Sequence, residues 1–423
     1  MRKNTFEWFR LDNAAKIFPG QNSRSWSNVF RLGAVLDREI DPDILRRALS
    51  NTLKRIPNFN VRIRRGAFWY YFEKNPDEAP IMPDIRNICY RINFKENKGF
   101  LFRLYYRGNA IHVDVYHSLC DGYGAVVFLS TLIGDYLRLC GEEVTYNNFV
   151  LDTRESPREC ELEDAYQRYA DSKVKFKRAD KWVYHCRGTK PPMHICNYTI
   201  GTMSFQQVHK ISKSYGVTVT ELFAAVLIDI LYRKQLAEGE KQREISAQIP
   251  VNLRKYFPSE TLRNFVLCLR VVINPNLGEY TFEEILRSVS LQLRLANDKK
   301  LINSLMTENL KLERNPVMKY LPLGVKNLGI SVSFAITGEQ TTSTLLSNIG
   351  YVSLPESVLR HVVKYNFYTG AGKLNGARCA TLTVGDNLVF SFSNCYEEND
   401  LEREFFTRLV KMGVHVKIES NRK

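Results

Sequence analysis

Residues 111–139 constrain this chain more tightly than any other stretch. Ile111-His-Val113-Asp-Val115-Tyr-His117 alternates, with apolar side chains at the odd positions until His117 takes the last of them. That is the period of a strand with one buried face. A glycine-bearing turn follows, and Ala125 to Leu139 reads as a long apolar helix. The strand–turn–helix unit ends its strand on an ionisable base, places Asp121 at the start of the helix and puts Gly122 beside it. A catalytic base belongs where a strand ends, with its ring turned toward a channel. Asp121 is suited to bond backbone amides or an arginine, and Gly122 allows a close approach or a positive φ. The plainer alternative is a core histidine followed by an ordinary N-cap aspartate.

The rest of the chain reads as mixed helix and strand. Asp41-Pro42 opens a helix with Ile44, Leu45, Ala48, Leu49 and Leu53 at helical spacing, ended by Pro57. Residues 59–64, 68–72 and 100–106 read as strands. Residues 141–185 are charged and form helix and connector, which places a domain junction near 185, between a unit of residues 1–185 and one of 186–423. In the second unit, residues 196–200, 245–251, 266–273, 329–335, 345–350, 378–384 and 388–392 read as strands. Residues 204–214, 217–228, 282–297 and 401–412 read as helices. Leu388 to Ser393, running through a turn into the helix from Leu401, repeats the plan of residues 111–139, so the chain reads as a fused pair of similar domains.

Composition narrows the function. At 423 residues, 44% hydrophobic and 12% aromatic, the chain is neither disordered nor fibrous. It lacks an apolar run long enough to cross a membrane. Met1-Arg2-Lys3 is followed by Asn4-Thr5-Phe6-Glu7-Trp8, not by the apolar core of a signal peptide, so a cytoplasmic location is expected. Nine dispersed cysteines with no Cys-x-x-Cys pair suit a reducing compartment. His185, Cys186, His194 and Cys196 match no zinc spacing, and no metal site is expected. The net charge of +15 suits phosphates, an acidic carrier protein, nucleic acid or an anionic membrane. No nucleic-acid-binding motif accompanies it, and the dense run Lys173 to Arg178 reads as a solvated helix face. Thr369-Gly-Ala-Gly-Lys373 fails the phosphate-loop pattern at Phe367 and Leu374 and reads as a hairpin turn. Cys120 is not expected to act as a nucleophile. His112, His209, His361 and His415 read as surface or packing residues without partners.

Several segments, in order, carry a resemblance. These are Asp41-Pro-Asp-Ile-Leu-Arg-Arg-Ala-Leu with Ile56-Pro57 to Arg62, His117-Ser-Leu-Cys-Asp121-Gly122, Ile249-Pro-Val-Asn-Leu-Arg254 with Arg263-Asn-Phe-Val266, and Leu346-Ser-Asn-Ile-Gly350. Together they resemble the CoA-dependent acyltransferase superfamily, which includes chloramphenicol acetyltransferase, condensation domains of peptide synthetases, and polyketide-associated and alcohol acyltransferases. His117 to Gly122 matches the family's HxxxDG motif. Tyr116 stands where condensation domains usually carry a second histidine, and the plant-type Asp-Phe-Gly-Trp-Gly is absent, so the resemblance is nearest to the stand-alone alcohol and polyketide-associated branch.

The resemblance implies an α/β fold of two chloramphenicol-acetyltransferase-like domains, each a mixed β-sheet flanked by helices, with a channel between them. It implies an acyltransferase moving an acyl group from a CoA or carrier-protein thioester to an alcohol or amine, with His117 as general base. Asp121 would be structural, with Arg254 as its partner. Ser347 and Asn348 would face the channel and the oxyanion. Acyl-CoA or acyl-pantetheine would be a substrate and not a tightly bound cofactor. The expected partners are a small-molecule acceptor and an acyl carrier protein, with no nucleic acid, and the expected state is a monomer. The alternative is a catalytically silent condensation-like protein that binds a ligand or partner.

Overall fold

Asp41 accepts hydrogen bonds from the amides of Asp43 and Ile44, and Pro42 fills the first turn of the helix Pro42–Arg55. Leu45, Ala48, Leu49 and Leu53 line its buried face. Local capping and a 3.6-residue apolar period thus produce the expected element. The helix Val219–Ala237 begins on a capping box of Thr218 and Glu221 and is buried on all sides from Glu221 to Tyr232. The computed structural model describes residues 7–22, 28–85, 87–173, 181–192, 195–239, 242–374 and 376–422.

Along the chain the strands are β1 (Trp8–Arg10), β2 (Val29–Leu36), β3 (Val61–Arg65), β4 (Tyr70–Lys74), β5 (Ile81–Pro83), β6 (Phe102–Arg107) and β7 (Ala110–Tyr116). They continue with β8 (Asn197–Ser204), β9 (Ile245–Asn252), β10 (Val266–Ile273), β11 (Thr344–Tyr351), β12 (Val362–Thr369), β13 (Ala377–Val384), β14 (Asn387–Asn394) and β15 (Val416–Ser420). Two mixed sheets form the body of the molecule, in the orders β12-β2-β7-β6-β5 and β10-β9-β11-β13-β14-β8-β15, and a small sheet β1-β4-β3 stands apart from them.

The large sheets share a plan. In the first, β7 pairs antiparallel with β2 on one side and β6 on the other, and β6 pairs parallel with β5. In the second, β14 pairs antiparallel with β8 and β13, and β13 pairs parallel with β11. Beyond β2 lies antiparallel β12, and beyond β8 lies antiparallel β15. Each central strand, β7 or β14, is followed by a long helix, Gly122–Leu139 or Asp400–Lys411. The repeated strand–turn–helix pattern is the trace of this duplication.

The structure departs from the expected organisation in three places. Residues 362–369, assigned to the second unit, complete the first sheet, so a cut at 185/186 separates neither the sheets nor the cores. The N-terminal core cluster includes Val362, Tyr365, Phe367, Leu382 and Val389. Residues 329–335, expected as a strand, belong to the helix Leu323–Ser333 and the π-helical turn that follows. A short apolar run does not reveal its period, and this one packs on Phe18–Gln21, where Gly20 faces Ile330, and not on a sheet edge. Residues 369–373 form no hairpin, because β12 and β13 lie in different sheets. The amides of Lys373 and Leu374 donate to the buried Glu339 carboxylate, each at 2.7 Å. Apart from Lys173, the basic run 173–178 lies outside the described residues.

Candidate active site

Alternation along β7 buries Val113 and Val115 and carries His117 to the end of the strand, where its amide bonds the carbonyl of Asn28. The His117 ring stacks on Phe18 with 4.7 Å between centroids and meets the Phe30 ring edge-on at 5.2 Å. Part of its surface opens into a cavity of about 990 Å³. Both halves of the chain line that cavity: Phe18, Phe30 and His117 from one, and Gln248, Cys268 and Ser347 from the other.

Asn264 enters the sequence reading only as part of the segment Arg263 to Val266, with no role given to it. Its Oδ1 lies 3.1 Å from His117 Nδ1, while its Nδ2 lies 3.1 Å from the His117 carbonyl and 3.4 Å from Oδ2 of Asp12. Two acceptors around Nδ2 fix the orientation of the amide, so Oδ1 accepts from Nδ1–H. The lone pair is then on Nε2, which has no hydrogen-bond partner among the described residues. Burial holds the His117 pKa below the usual 6.5, against the opposing pull of Asp121, Asn264 and Asp12. The ring is neutral near pH 7.

Asp121 points away from the imidazole. Its Oδ1 accepts from the amide of Gly124 and caps the helix Gly122–Leu139. Its Oδ2 accepts from the amide of Phe265 and from Nη1 of Arg254, both at 2.8 Å. Arg254 also donates to Asn252 Oδ1 and to the carbonyls of Thr261 and Arg263, and its guanidinium lies 4.6 Å from the Tyr123 ring centroid. The pair, 1% and 8% exposed, locks the start of the N-terminal helix to the loop ahead of β10. The need for glycine here is steric. Gly122 does not adopt a positive φ; a Cβ there would meet Ile349 at 3.1 Å. At Gly124 a Cβ would lie 2.2 Å from the carbonyl oxygen of Leu262.

Ser347 and Asn348 lie on β11 and line the same cavity. The Asn348 side chain is committed: Nδ2 donates to Thr220 Oγ1 and Oδ1 accepts from the amide of Gly350, both at 2.8 Å. It holds an irregularity in the β11–β13 register, where Gly350 takes a φ of 89°. Cys120 is buried, does not line the cavity, and has its thiol pKa pushed well up by burial.

His112, His209, His361 and His415 divide. His112 is enclosed beside Arg31 and lies 3.7 Å from Asp84, and His361 lies 2.7 Å from Asp37 and 3.4 Å from Glu142. These two do have partners, which sequence separation hid. His209 stacks on Phe205, and the backbone amide of His415 bonds Gln207. His185 Nε2 lies 3.4 Å from the Gln340 carbonyl; Cys186 and Cys196 belong to different cores, and His194 lies outside the described residues.

Solved structures share this architecture along the whole chain. F. graminearum TRI101 complexed with ethyl coenzyme A matches with a TM-score of 0.62 at 10% identity, covering 97% of this chain and 99% of that one. Polyketide synthase associated protein 5 from Mycobacterium tuberculosis matches at 0.59 and 13%, over 95% and 96%. The starter condensation domain of rhizomide synthetase RzmA, in complex with C8-CoA and Leu-SNAC, matches at 0.58 and 11%, over 96% and 94%. This chain has the fold of CoA-dependent acyltransferases and condensation domains. No family model and no curated protein matches the sequence. In this acyltransferase fold the cavity that holds His117 is lined from both lobes, and the Asp121–Arg254 pair joins them.

Proposed function

We propose that the protein is an acyltransferase that moves an acyl group from a CoA or carrier-protein thioester to an alcohol or amine. The observation that carries this reading is the His117 imidazole in the interlobe cavity, with Nδ1 held by Asn264 and Nε2 without a hydrogen-bond partner among the described residues. Nε2 takes the proton from the acceptor O–H or N–H as that atom bonds to the thioester carbonyl carbon. The carbonyl electrons pass to oxygen, and the Ser347 hydroxyl on the cavity wall is the donor suited to that oxyanion. Collapse of the tetrahedral intermediate breaks the C–S bond, and the imidazolium returns its proton to the departing thiolate. No acyl-enzyme forms. Asp121 and Arg254 act as positioning residues, since neither faces the reacting atoms.

Ethyl coenzyme A in the TRI101 complex and C8-CoA in the RzmA complex support a thioester donor. The test is thiol release from short- to long-chain acyl-CoA with alcohol and amine acceptors, comparing the wild type with His117→Ala. Acceptor-dependent release should fall about 10²–10⁴-fold in the variant. Equal release from both proteins would remove His117 from the mechanism. Release from carrier-bound thioesters alone would assign the donor to a carrier, and none from either donor would favour a silent binding protein.

A further inference from the structure

Leu323–Ser333 buries Leu323 and Lys326 and turns Val325, Leu328 and Val332 outward, at 53%, 66% and 49% exposure. Spacings of three and four residues put them on one face, and Ile336 in the π-helical turn extends it at 53%. The preceding short helix Pro316–Tyr320 adds Val317 at 73% and Tyr320 at 67%. Folding a water-soluble chain should bury such a stripe, and here it faces out.

The charge along these two helices is one-sided. Residues 315–338 contain no Asp or Glu, and their charged residues are Lys319 and Lys326. Lys326 is turned inward, donating to the carbonyls of Phe68 and Lys319 with its ammonium 3.5 Å from the Trp69 ring centroid. Lys319 is exposed. The tip of the β3–β4 hairpin packs against the helix, through the Leu323 amide on the Ala67 carbonyl and the Phe68–Tyr320 ring contact. It brings the exposed Arg65 to the stripe, its Nη2 3.8 Å from where a Cβ on Gly324 would be, while the neighbouring Arg64 is paired with Glu73 at 2.9 Å. The other faces of the same two helices supply Met318, Lys326 and Ile330 to the cavity that holds His117.

From these observations we infer that this stripe docks the protein on an anionic lipid surface, with the catalytic cavity beside the bilayer. Aliphatic side chains enter the acyl–headgroup boundary, Tyr320 sits at the interface, and Arg65 and Lys319 meet lipid phosphates. A second copy fits the face poorly. It would bring another chain of charge +15 against the same cations, with no carboxylate in residues 315–338 to answer them. A bilayer supplies both the apolar boundary and the negative charge. Docking there would favour acyl donors or acceptors that partition into lipid.

The experiment is flotation of the full chain with vesicles of phosphatidylcholine alone and of phosphatidylcholine with phosphatidylglycerol. The wild type should float with the anionic vesicles and less with the neutral ones, and salt should weaken the binding. Leu328→Asp/Val332→Asp should bind at least about tenfold more weakly for each side chain withdrawn from lipid. Arg65→Glu/Lys319→Glu should abolish the preference for anionic vesicles. All three proteins should keep the wild-type thermal midpoint and cleave a short, water-soluble acyl-CoA alike, because these side chains lie outside the catalytic machinery. No flotation of the wild type, or equal flotation of wild type and Leu328→Asp/Val332→Asp, overturns the inference. So does a wild-type dimer that this variant converts to monomer, which would assign the face to a second copy. Vesicle binding is read without turnover, so its failure is distinct from failure of the acyl-transfer reading.

Discussion

An imidazole accepts a proton only through the nitrogen that carries none, and at His117 the Asn264 amide decides which nitrogen that is. The amide cannot reverse without turning its oxygen toward two acceptors, the His117 carbonyl and the Asp12 carboxylate. Asn264→Leu therefore removes the acceptor for Nδ1–H and frees both tautomers. It should lower kcat/KM about tenfold, the value of one buried hydrogen bond. Burial lowers the His117 pKa and the Asn264 hydrogen bond partly opposes it. The acid limb of the wild-type pH–rate profile should accordingly lie below 6.5, and that of Asn264→Leu lower still. A limb that moves upward in the variant, or an unchanged rate, would show that Asn264 does not set the state of the proposed base.

At the scale of the element, the helix Gly122–Leu139 is fixed at its first turn by one carboxylate that caps it and ties it to β10 and Arg254. Removing one member of a buried pair strands the other, at a cost of about 3–5 kcal/mol. Asp121→Ala should lose that much in denaturant titration. Asp121→Leu/Arg254→Met should recover only part of it, because the Thr261 and Arg263 carbonyls also lose their donor. A loss below about 1 kcal/mol would mean that the contact adds little. Elements with local signatures were legible in the sequence: the helix start at Asp41-Pro42, the alternation into His117, and the period of residues 282–297. What escaped depends on contacts between distant residues. β12 is an unremarkable run until β2 offers it an edge, and Asn264, part of a segment that carries the resemblance, has no visible role until the fold brings it 147 positions back along the chain to His117. Helix Leu323–Ser333 was misread because its apolar residues answer neither to a strand edge nor to a fully buried face.

The whole molecule adds properties that no single element has. Two enclosed histidines are held neutral: His117, and His112, whose pKa is pushed down to about 4 by burial first and by Arg31 second. The unfolded chain protonates such side chains near 6.5. Between 6.5 and about 4 the unfolded state therefore binds more protons, so stability is complete above 6.5 and drains away as pH falls through that window. The denaturation midpoint should drop across that range, and His112→Asn should flatten the slope; a midpoint flat from pH 7 to 4 would contradict the enclosed, neutral ring. The second whole-molecule property is the shared strand. β12 comes from the C-terminal half, pairs along β2 from Leu36 to Phe30, and places the Tyr365 hydroxyl 3.0 Å from Ser130 in the helix behind the sheet. Without it, β2 becomes a bare edge flanked by an open apolar slot, the arrangement that templates aggregation. Residues 1–185 made alone should be insoluble or molten, and residues 362–369 supplied as a peptide should improve their recovery. The intact chain should unfold in one transition, with far- and near-ultraviolet dichroism coinciding. A soluble, cooperatively folded 1–185 fragment would show that the N-terminal lobe closes its own sheet, and that β12 joins the lobes without being needed to build one.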